Sequence, residues 1–400
     1  MKRILIFSIT YHPFIGGAEV ALKELTDRFP SDEYEFHMVT LRNNARLPKE
    51  ETLGNVRVHR IGLSTRAPRP EDLARMPLQL NKYLYQFMAA AEAERLHRKF
   101  QFDGVWAMMA HAAGIPAGIF KARHPEVPYL LTLQEGDPPE HIERIARPVW
   151  PLFVQGFRRA DELQAISSFL LAWGKRMGFS GEGEVIPNGV DAKRFAMALP
   201  PQQVAHARER LQKKDDEVLL VTTSRLVHKN GIDTVIKALA LMPSSVRFIV
   251  YGIGVEEEKL RSLAKEKGVE SRVSFLGHLS HEELPEALAA CDIFVRPSRS
   301  EGMGNSFIEA MAAGLPVIAT QEGGIADFLF DETRNPEREP TGWAVNPDAP
   351  EQIAAAVKDI LARPEHAAGI VAHARTLATT RYDWDRIADE MRALFAKTFA

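Results

Sequence analysis

Glu301 and Glu309 are two acids whose surroundings suggest chemistry. They stand in the stretch Ser298-Arg299-Ser300-Glu301-Gly302-Met303-Gly304-Asn305-Ser306-Phe307-Ile308-Glu309-Ala310-Met311-Ala312-Ala313-Gly314-Leu315-Pro316. The preceding Asp292-Ile293-Phe294-Val295 run reads as a buried strand, and Ser298 to Gly304 as the loop that turns it into a helix. From about Asn305 to Ala313 the residues favour helix, with Gly314 just past the end and Pro316 beyond it. A strand, glycine loop and helix start place unpaired backbone N–H groups and the positive end of a helix dipole at one spot, which suits phosphate. If the stretch is mostly helical, the two carboxylates stand about 12 Å apart along the axis, the reach of a nucleoside diphosphate-sugar between ribose and hexose. Ionised carboxylates accept from pairs of sugar hydroxyls, while the intervening N–H groups of Gly302, Met303, Gly304 and Asn305 suit the diphosphate. An isolated pair of glutamates usually only solvates a surface. Here the Pro-Ser entry, the glycines and the Pro-Val exit argue for a built site.

Breaking a sugar-phosphate bond leaves a negative charge that a metal or fixed cations must stabilise. Arg225 and Lys229, in Ser224-Arg225-Leu226-Val227-His228-Lys229-Asn230-Gly231, leave the carboxyl end of a strand candidate and offer such cations. Gly16-Gly17-Ala18-Glu19 is another loop opening a helix, though a glycine pair alone means only a tight turn. His111 follows the strand candidate Gly104 to Met108.

The elements that must position these groups alternate along the chain. Strand candidates in the first half are Ile4 to Ile9, Phe36 to Thr40, Val56 to Arg60, Gly104 to Met108, Tyr129 to Leu133 and Glu162 to Ile166. Helical patterns lie between them, chiefly Ala18 to Phe29 and Leu73 to Phe100. Turn-rich residues from Ile186 to Asp191 mark a boundary near residue 185. The second half repeats the alternation with Val218 to Thr223, Arg247 to Tyr251, Val273 to Leu276, Ile293 to Arg296 and Val317 to Thr320. The expected fold class is therefore α/β, with two doubly wound parallel-sheet domains, residues 1–185 and 186–382. Ligands of such sheets bind at the carboxyl ends of the strands. Asp331 to Pro340, rich in charge and proline, reads as an exposed insertion of small functional weight.

The stretch from Pro297-Ser298 through Glu301-Gly302 to Glu309-Ala310-Met311-Ala312-Ala313-Gly314-Leu315-Pro316-Val317-Ile318 resembles the E-x7-E signature of glycosyltransferase family 4, retaining enzymes of the GT-B fold. The resemblance implies two Rossmann-like domains facing across a cleft, with a terminal helix, about residues 383–400, crossing back to the first. It implies that Glu301 contacts the donor sugar and Glu309 the ribose. Arg225 and Lys229 resemble the family's diphosphate-binding pair, although the family places lysine directly before the glycine and Asn230 holds that position here. Gly16 and Gly17 resemble the N-terminal glycine loop that approaches the donor phosphate and acceptor. His111 resembles the first-domain histidine that contacts the donor sugar, but Thr132-Leu133-Gln134 puts a glutamine where a second histidine is common. Gly252-Ile253-Gly254 and Phe275-Leu276-Gly277 resemble elements flanking the nucleotide, with Gly277 near the base. The implied activity is metal-independent, retaining transfer of a hexosyl unit from a UDP- or GDP-sugar, used as substrate with no cofactor. The acceptor would be a glycan, a lipid-linked sugar or a small molecule.

Composition bounds these readings. The 400 residues are 45% hydrophobic and carry a formal charge of -3, which gives no sign of a nucleic-acid partner. Cys291 is the only cysteine, so there is no internal disulfide and no cysteine-based zinc site, and a small buried filler is expected there. The apolar run Ile4 to Phe7 after Met1-Lys2-Arg3 is too short for a signal peptide, and the expected location is cytoplasmic. Arg144, Arg147, Arg158, Arg159, Lys175 and Arg176 leave room for peripheral membrane contact from that side. Asp383 and Asp385 mimic a D-x-D metal motif, but their place at a helix start suits capping better. Two rival readings are a non-catalytic GT-B binder of nucleotide-sugar or glycan and a nicotinamide-dependent oxidoreductase. The latter needs a third glycine after Gly252-Ile253-Gly254 that the sequence lacks.

Overall fold

A strand that is apolar throughout, such as Gly104–Met108, has no side chain for water on either face and must lie inside a covered parallel sheet. The computed structural model describes residues 1–13, 16–68, 72, 75–197 and 199–400. The chain divides into two compact units, Met1–Asn188 with Trp384–Ala400, and Gly189–Asp383.

The first unit's strands are β1 (Lys2–Phe7), β2 (Tyr34–Leu41), β3 (Glu50–Leu53), β4 (Val56–Ile61), β5 (Gly104–Met108), β6 (Tyr129–Leu133), β7 (Glu162–Ala165) and β8 (Glu184–Val185). They form one sheet in the order β3-β4-β2-β1-β5-β6-β7-β8, parallel except for the antiparallel edge pair β3–β4. The order reverses between β1 and β5, which register Ile4 on Gly104 and Phe7 on Ala107. That reversal is where an open α/β sheet leaves a crevice at its carboxyl edge.

The second unit's strands are β9 (Val218–Thr223), β10 (Val246–Tyr251), β11 (Val273–Gly277), β12 (Ile293–Arg296), β13 (Val317–Ala319) and β14 (Trp343–Ala344). Their order, β11-β10-β9-β12-β13-β14, is the doubly wound Rossmann order, all parallel, with its reversal between β9 and β12.

Each unit has its own core. In the second, Leu220, Phe248, Ile293, Val295 and Ile318 from the strands pack with Val235, Leu239, Ile353 and Ile360 from helices. In the first, the terminal helix Trp384–Thr398 lays Ile387, Met391, Leu394 and Phe395 into the core. The Phe395 ring stands 4.9 Å from Phe29 and 5.1 Å from Trp106. Each such buried aromatic contributes about 2 to 3 kcal/mol of apolar burial. Cys291 is buried too, and that burial pushes its thiol up to about 12.

Three departures from the sequence reading have local causes. β1 ends at Phe7 rather than Ile9, where the Ser8 hydroxyl donates to the Thr10 carbonyl 2.8 Å away and turns the chain. The long helix runs Asn81–Phe100 after a tight turn at Leu78–Leu80; of the residues expected to begin it, Leu73 lies outside the described residues. β3, β8 and β14 are short additional strands. The Asp331 to Pro340 segment has no regular element, and the Asp331 carboxylate anchors it by accepting from the N–H groups of Thr333, Arg334 and Ala344. No helix among the described residues is long and apolar enough to cross a membrane.

Candidate active site

In the second unit the candidate residues leave the two strands that flank the reversal. β9 runs into the loop 224–231, and β12 into the loop 297–304. The loops are tied to each other. Arg299 donates to both Asp233 oxygens at 2.9 Å, its backbone N–H donates to the Lys229 carbonyl at 2.7 Å, and its side chain also reaches the His228 carbonyl and Asp348. Burial would raise the Asp233 carboxyl, but the hydrogen bonds from Arg299 and Lys237 hold it down at about 2. Gly231 has φ +69, and a Cβ there would lie 2.2 Å from the Pro297 carbonyl oxygen, so only glycine lets the loops close on each other.

On this frame the Arg225 side chain is exposed and makes no ion pair among the described residues, as a phosphate-binding cation requires. Lys229 is half-buried. Asn230 is buried and points inward, its amide donating to the Arg225 carbonyl at 2.7 Å. Asn230 thus braces the loop, and Lys229 is the cation beside it.

The helix after β12 spans Asn305–Ala312 and ends in a glycine cap, with Gly314 donating to Met311 and Leu315 to Ala310. Glu301 therefore lies in the loop before the helix, and the helical spacing that put the two carboxylates about 12 Å apart does not apply. Instead the loop folds over Arg296, the last residue of β12. The Arg296 Nη2 donates to Glu301 Oε2 at 2.9 Å and its Nη1 to Ser306 Oγ at 2.7 Å, while its guanidinium lies 4.1 Å from the centre of the Phe307 ring. Glu301, Glu309 and Arg225 all act on the Arg296 charge. The Glu309 side chain is buried, and burial pushes its carboxyl up to about 7, with Arg296 pulling the other way. Its Oε1 stands 3.8 Å from His281 Nδ1.

Gly302 and Met303 are buried, whereas Gly304 and Asn305 are half-buried at the mouth of the helix. Gly277 ends β11, where its carbonyl accepts the Gly252 N–H at 2.7 Å and a side chain would meet nothing within 4 Å. The structure thus ties Glu301 to Arg296, places Arg225 and Glu309 where their charges act on the same guanidinium, and sets Lys229 in the loop clamped to the same element.

The first unit places Gly16, Gly17 and His111 after the strands that flank its own reversal. The Gly16 N–H donates to Glu19 Oε2 at 2.8 Å, and the other Glu19 oxygen accepts from Thr10. That N–H is therefore taken by the protein, and the open position is Gly17, where a Cβ would meet nothing within 4 Å. His111 sits in the helical turn Ala110–Gly114 directly after β5. Its Nδ1 stands 3.5 Å from Oε1 of Glu135, a buried carboxylate that accepts the N–H groups of Ala110 at 2.6 Å and Gln134 at 3.0 Å. Gln134 pairs amide to amide with Asn188, at 3.0 and 3.3 Å, which is a structural role.

Arg296, Glu135 and Glu19 were not among the expected site residues. The signal for Arg296 is a charge ending an otherwise apolar strand, and for Glu135 an acid two residues beyond the end of β6. Of the D-x-D pair, Asp385 forms an ion pair with Arg28 at 2.9 Å near the start of the terminal helix.

A model of the glycosyl transferases group 1 matches residues 204–377, and one of Glycosyltransferase Family 4 matches residues 15–194. A GDP-mannose-dependent alpha-(1-6)-phosphatidylinositol monomannoside mannosyltransferase of Mycobacterium tuberculosis is 31% identical over 242 residues, 58% of this chain and 60% of the relative. The chain thus spans less than two thirds of that relative. A GDP-mannose-dependent monoacylated alpha-(1-6)-phosphatidylinositol monomannoside mannosyltransferase of Corynebacterium glutamicum is 29% identical over 314 residues, 74% of this chain and 76% of its own length. The crystal structure of Anabaena HepE in complex with UDP and glucose superposes with a TM-score of 0.75 at 22% identity, covering 99% of this chain and 100% of that one. With two units of GT-B architecture and both family models in register with them, the chain belongs to glycosyltransferase family 4.

Proposed function

We propose that this protein transfers a hexosyl unit, with retention of configuration and without a metal, from a nucleoside diphosphate-sugar to a carbohydrate, lipid-linked or small-molecule acceptor. The observation that carries this reading is the convergence of an exposed Arg225 and two carboxylates, Glu301 and Glu309, at the sheet reversal of the second unit. Arg225 and Lys229 hold the diphosphate and stabilise the charge of the leaving group, which is the work a divalent cation would otherwise do. Glu309 accepts from the ribose hydroxyls. Glu301 and the Gly302 to Asn305 backbone bind the donor sugar, with Gly277 beside the base. In the first unit, His111, whose backbone is held by Glu135, contacts the sugar, and the open backbone at Gly17 serves the acceptor side. With no dedicated nucleophile assigned, attack occurs on the face the phosphate leaves, and the phosphate takes the acceptor proton.

The relatives named for GDP-mannose make that donor the first to test, and the HepE complex makes UDP-glucose the second. Thermal unfolding with a panel of GDP-, UDP- and ADP-sugars is expected to select one base, because a ligand that binds only the folded state raises its stability. If none raises the midpoint at millimolar concentration, the reading fails. Retention is checked by the anomeric proton coupling of the product, and metal independence by turnover that survives a chelator.

A further inference from the structure

Arg296 is placed in a way that a purely architectural residue does not require. Its side chain is 6% exposed and ends a strand whose other residues, Ile293, Phe294 and Val295, are apolar. One fork nitrogen binds Glu301, and the other binds Ser306 and, at 3.3 Å, the Thr223 carbonyl. The Nε–H is buried without a hydrogen-bond partner among the described residues. Gly304, with φ +89, passes so close that a Cβ there would lie 2.7 Å from the Arg296 Nη2 and 2.6 Å from the Phe307 ring. Loop, helix start and guanidinium form one packed unit. A buried charge costs several kcal/mol in desolvation, and well-packed apolar residues often replace such a charge without loss of stability. Packing alone therefore does not call for a cation at this position.

We propose that Arg296 is a positioning residue of this site: it fixes the Glu301 carboxylate against the start of the 305–312 helix and balances the charge of Glu309. This rests on the donor reading given above. The charged and titratable groups acting on Glu309 are Arg296 from β12 and His281, whose Nδ1 stands 3.8 Å from Oε1. Arg296 favours the ionised carboxylate that accepts from a diol, while burial favours the neutral acid. Removing the positive charge therefore moves the Glu309 titration to higher pH. Keeping the charge but removing the fork leaves that titration in place and lets Glu301 swing.

The test separates these two effects in the full-length, ligand-free chain, using carbon-13 side-chain carboxyl NMR with Glu309→Gln to assign the signal. The midpoint is expected to rise by about one unit in Arg296→Met and to stay near the wild-type value in Arg296→Lys. With GDP-mannose or UDP-glucose, whichever stabilises the wild type, Arg296→Lys is expected to lose about tenfold or more in kcat with its donor KM within about threefold. A midpoint in Arg296→Met within about 0.3 unit of wild type overturns the charge role. Wild-type kcat in Arg296→Lys overturns the positioning role, and that variant decides the question if Arg296→Met does not fold. If the titrations behave as expected while the wild type binds no nucleoside diphosphate-sugar, the donor reading fails and the coupling of Arg296 to Glu309 stands.

Discussion

The carboxyl edges of the two sheets solve the same problem in different ways. In the second unit the edge is built by reciprocal ties between loops: Arg299 clamps the loop after β9, Asn230 braces it, and the 297–304 loop wraps around Arg296. In the first unit the ties stay local, with one carboxylate on each side: Glu19 accepts from Gly16 and Thr10, and Glu135 from the backbone N–H groups of Ala110, His111 and Gln134. The difference teaches that charge handling is concentrated in the second unit, where one change is felt by several groups. The first unit presents individually adjustable contacts.

The sharpest way to break this comparison is Arg225→Ala, which removes an exposed cation. A loss of about 10²- to 10³-fold in kcat/KM is expected, and a change under threefold would show that the diphosphate charge is handled elsewhere. Glu309→Ala comes next, with donor affinity about 10- to 100-fold weaker by calorimetry, the cost of losing hydrogen bonds to a charged acceptor.

A stability measurement sharpens the same contrast. The Glu309 carboxyl is raised to about 7 in the folded protein from an ordinary value of 4.5, so between those pH values the folded state binds the extra proton. Stability from this group is therefore present at the acid end of the window and declines as pH rises through it. Glu309→Gln in the ligand-free protein is expected to be more stable than wild type at pH 8 by on the order of 2 kcal/mol, with the gain vanishing near pH 4. Equal denaturant midpoints at both pH values would remove the idea of a strained carboxyl.

In the first unit, Glu135→Gln is expected to lower kcat by about tenfold with little change in donor affinity, since Glu135 holds the Ala110, His111 and Gln134 backbone in place. A tenfold loss of donor affinity instead would mean that its anchor is as widely shared as those of the second unit.

Much of this was legible in the sequence because parallel strands covered on both faces are written as apolar runs, as in Gly104–Met108 and the Ile293-Phe294-Val295 part of β12. The short edge strands Glu50–Leu53 and Trp343–Ala344 carry no such run, and pairing with a neighbour defines them. The acids at Glu301 and Glu309 stand out by spacing, but spacing does not give their separation, because the helix starts only at Asn305. Which of Lys229 and Asn230 turns inward is a tertiary decision, made by the Arg225 carbonyl that Asn230 reaches. In the sequence Arg296 is only the end of a strand, because its contacts come from a loop that arrives from later in the chain.

The clamp of Arg299 on Asp233 has one further consequence. With the Asp233 carboxyl held near 2, the pair stays charged far into the acid range, and the 224–231 loop owes its shape to the folded chain rather than to any visitor. Holding a backbone residue still costs about 1 to 2 kcal/mol, and here that ordering is complete before association begins. A guest arriving at this edge meets a finished surface, and the strength of its grip reflects contact rather than rearrangement.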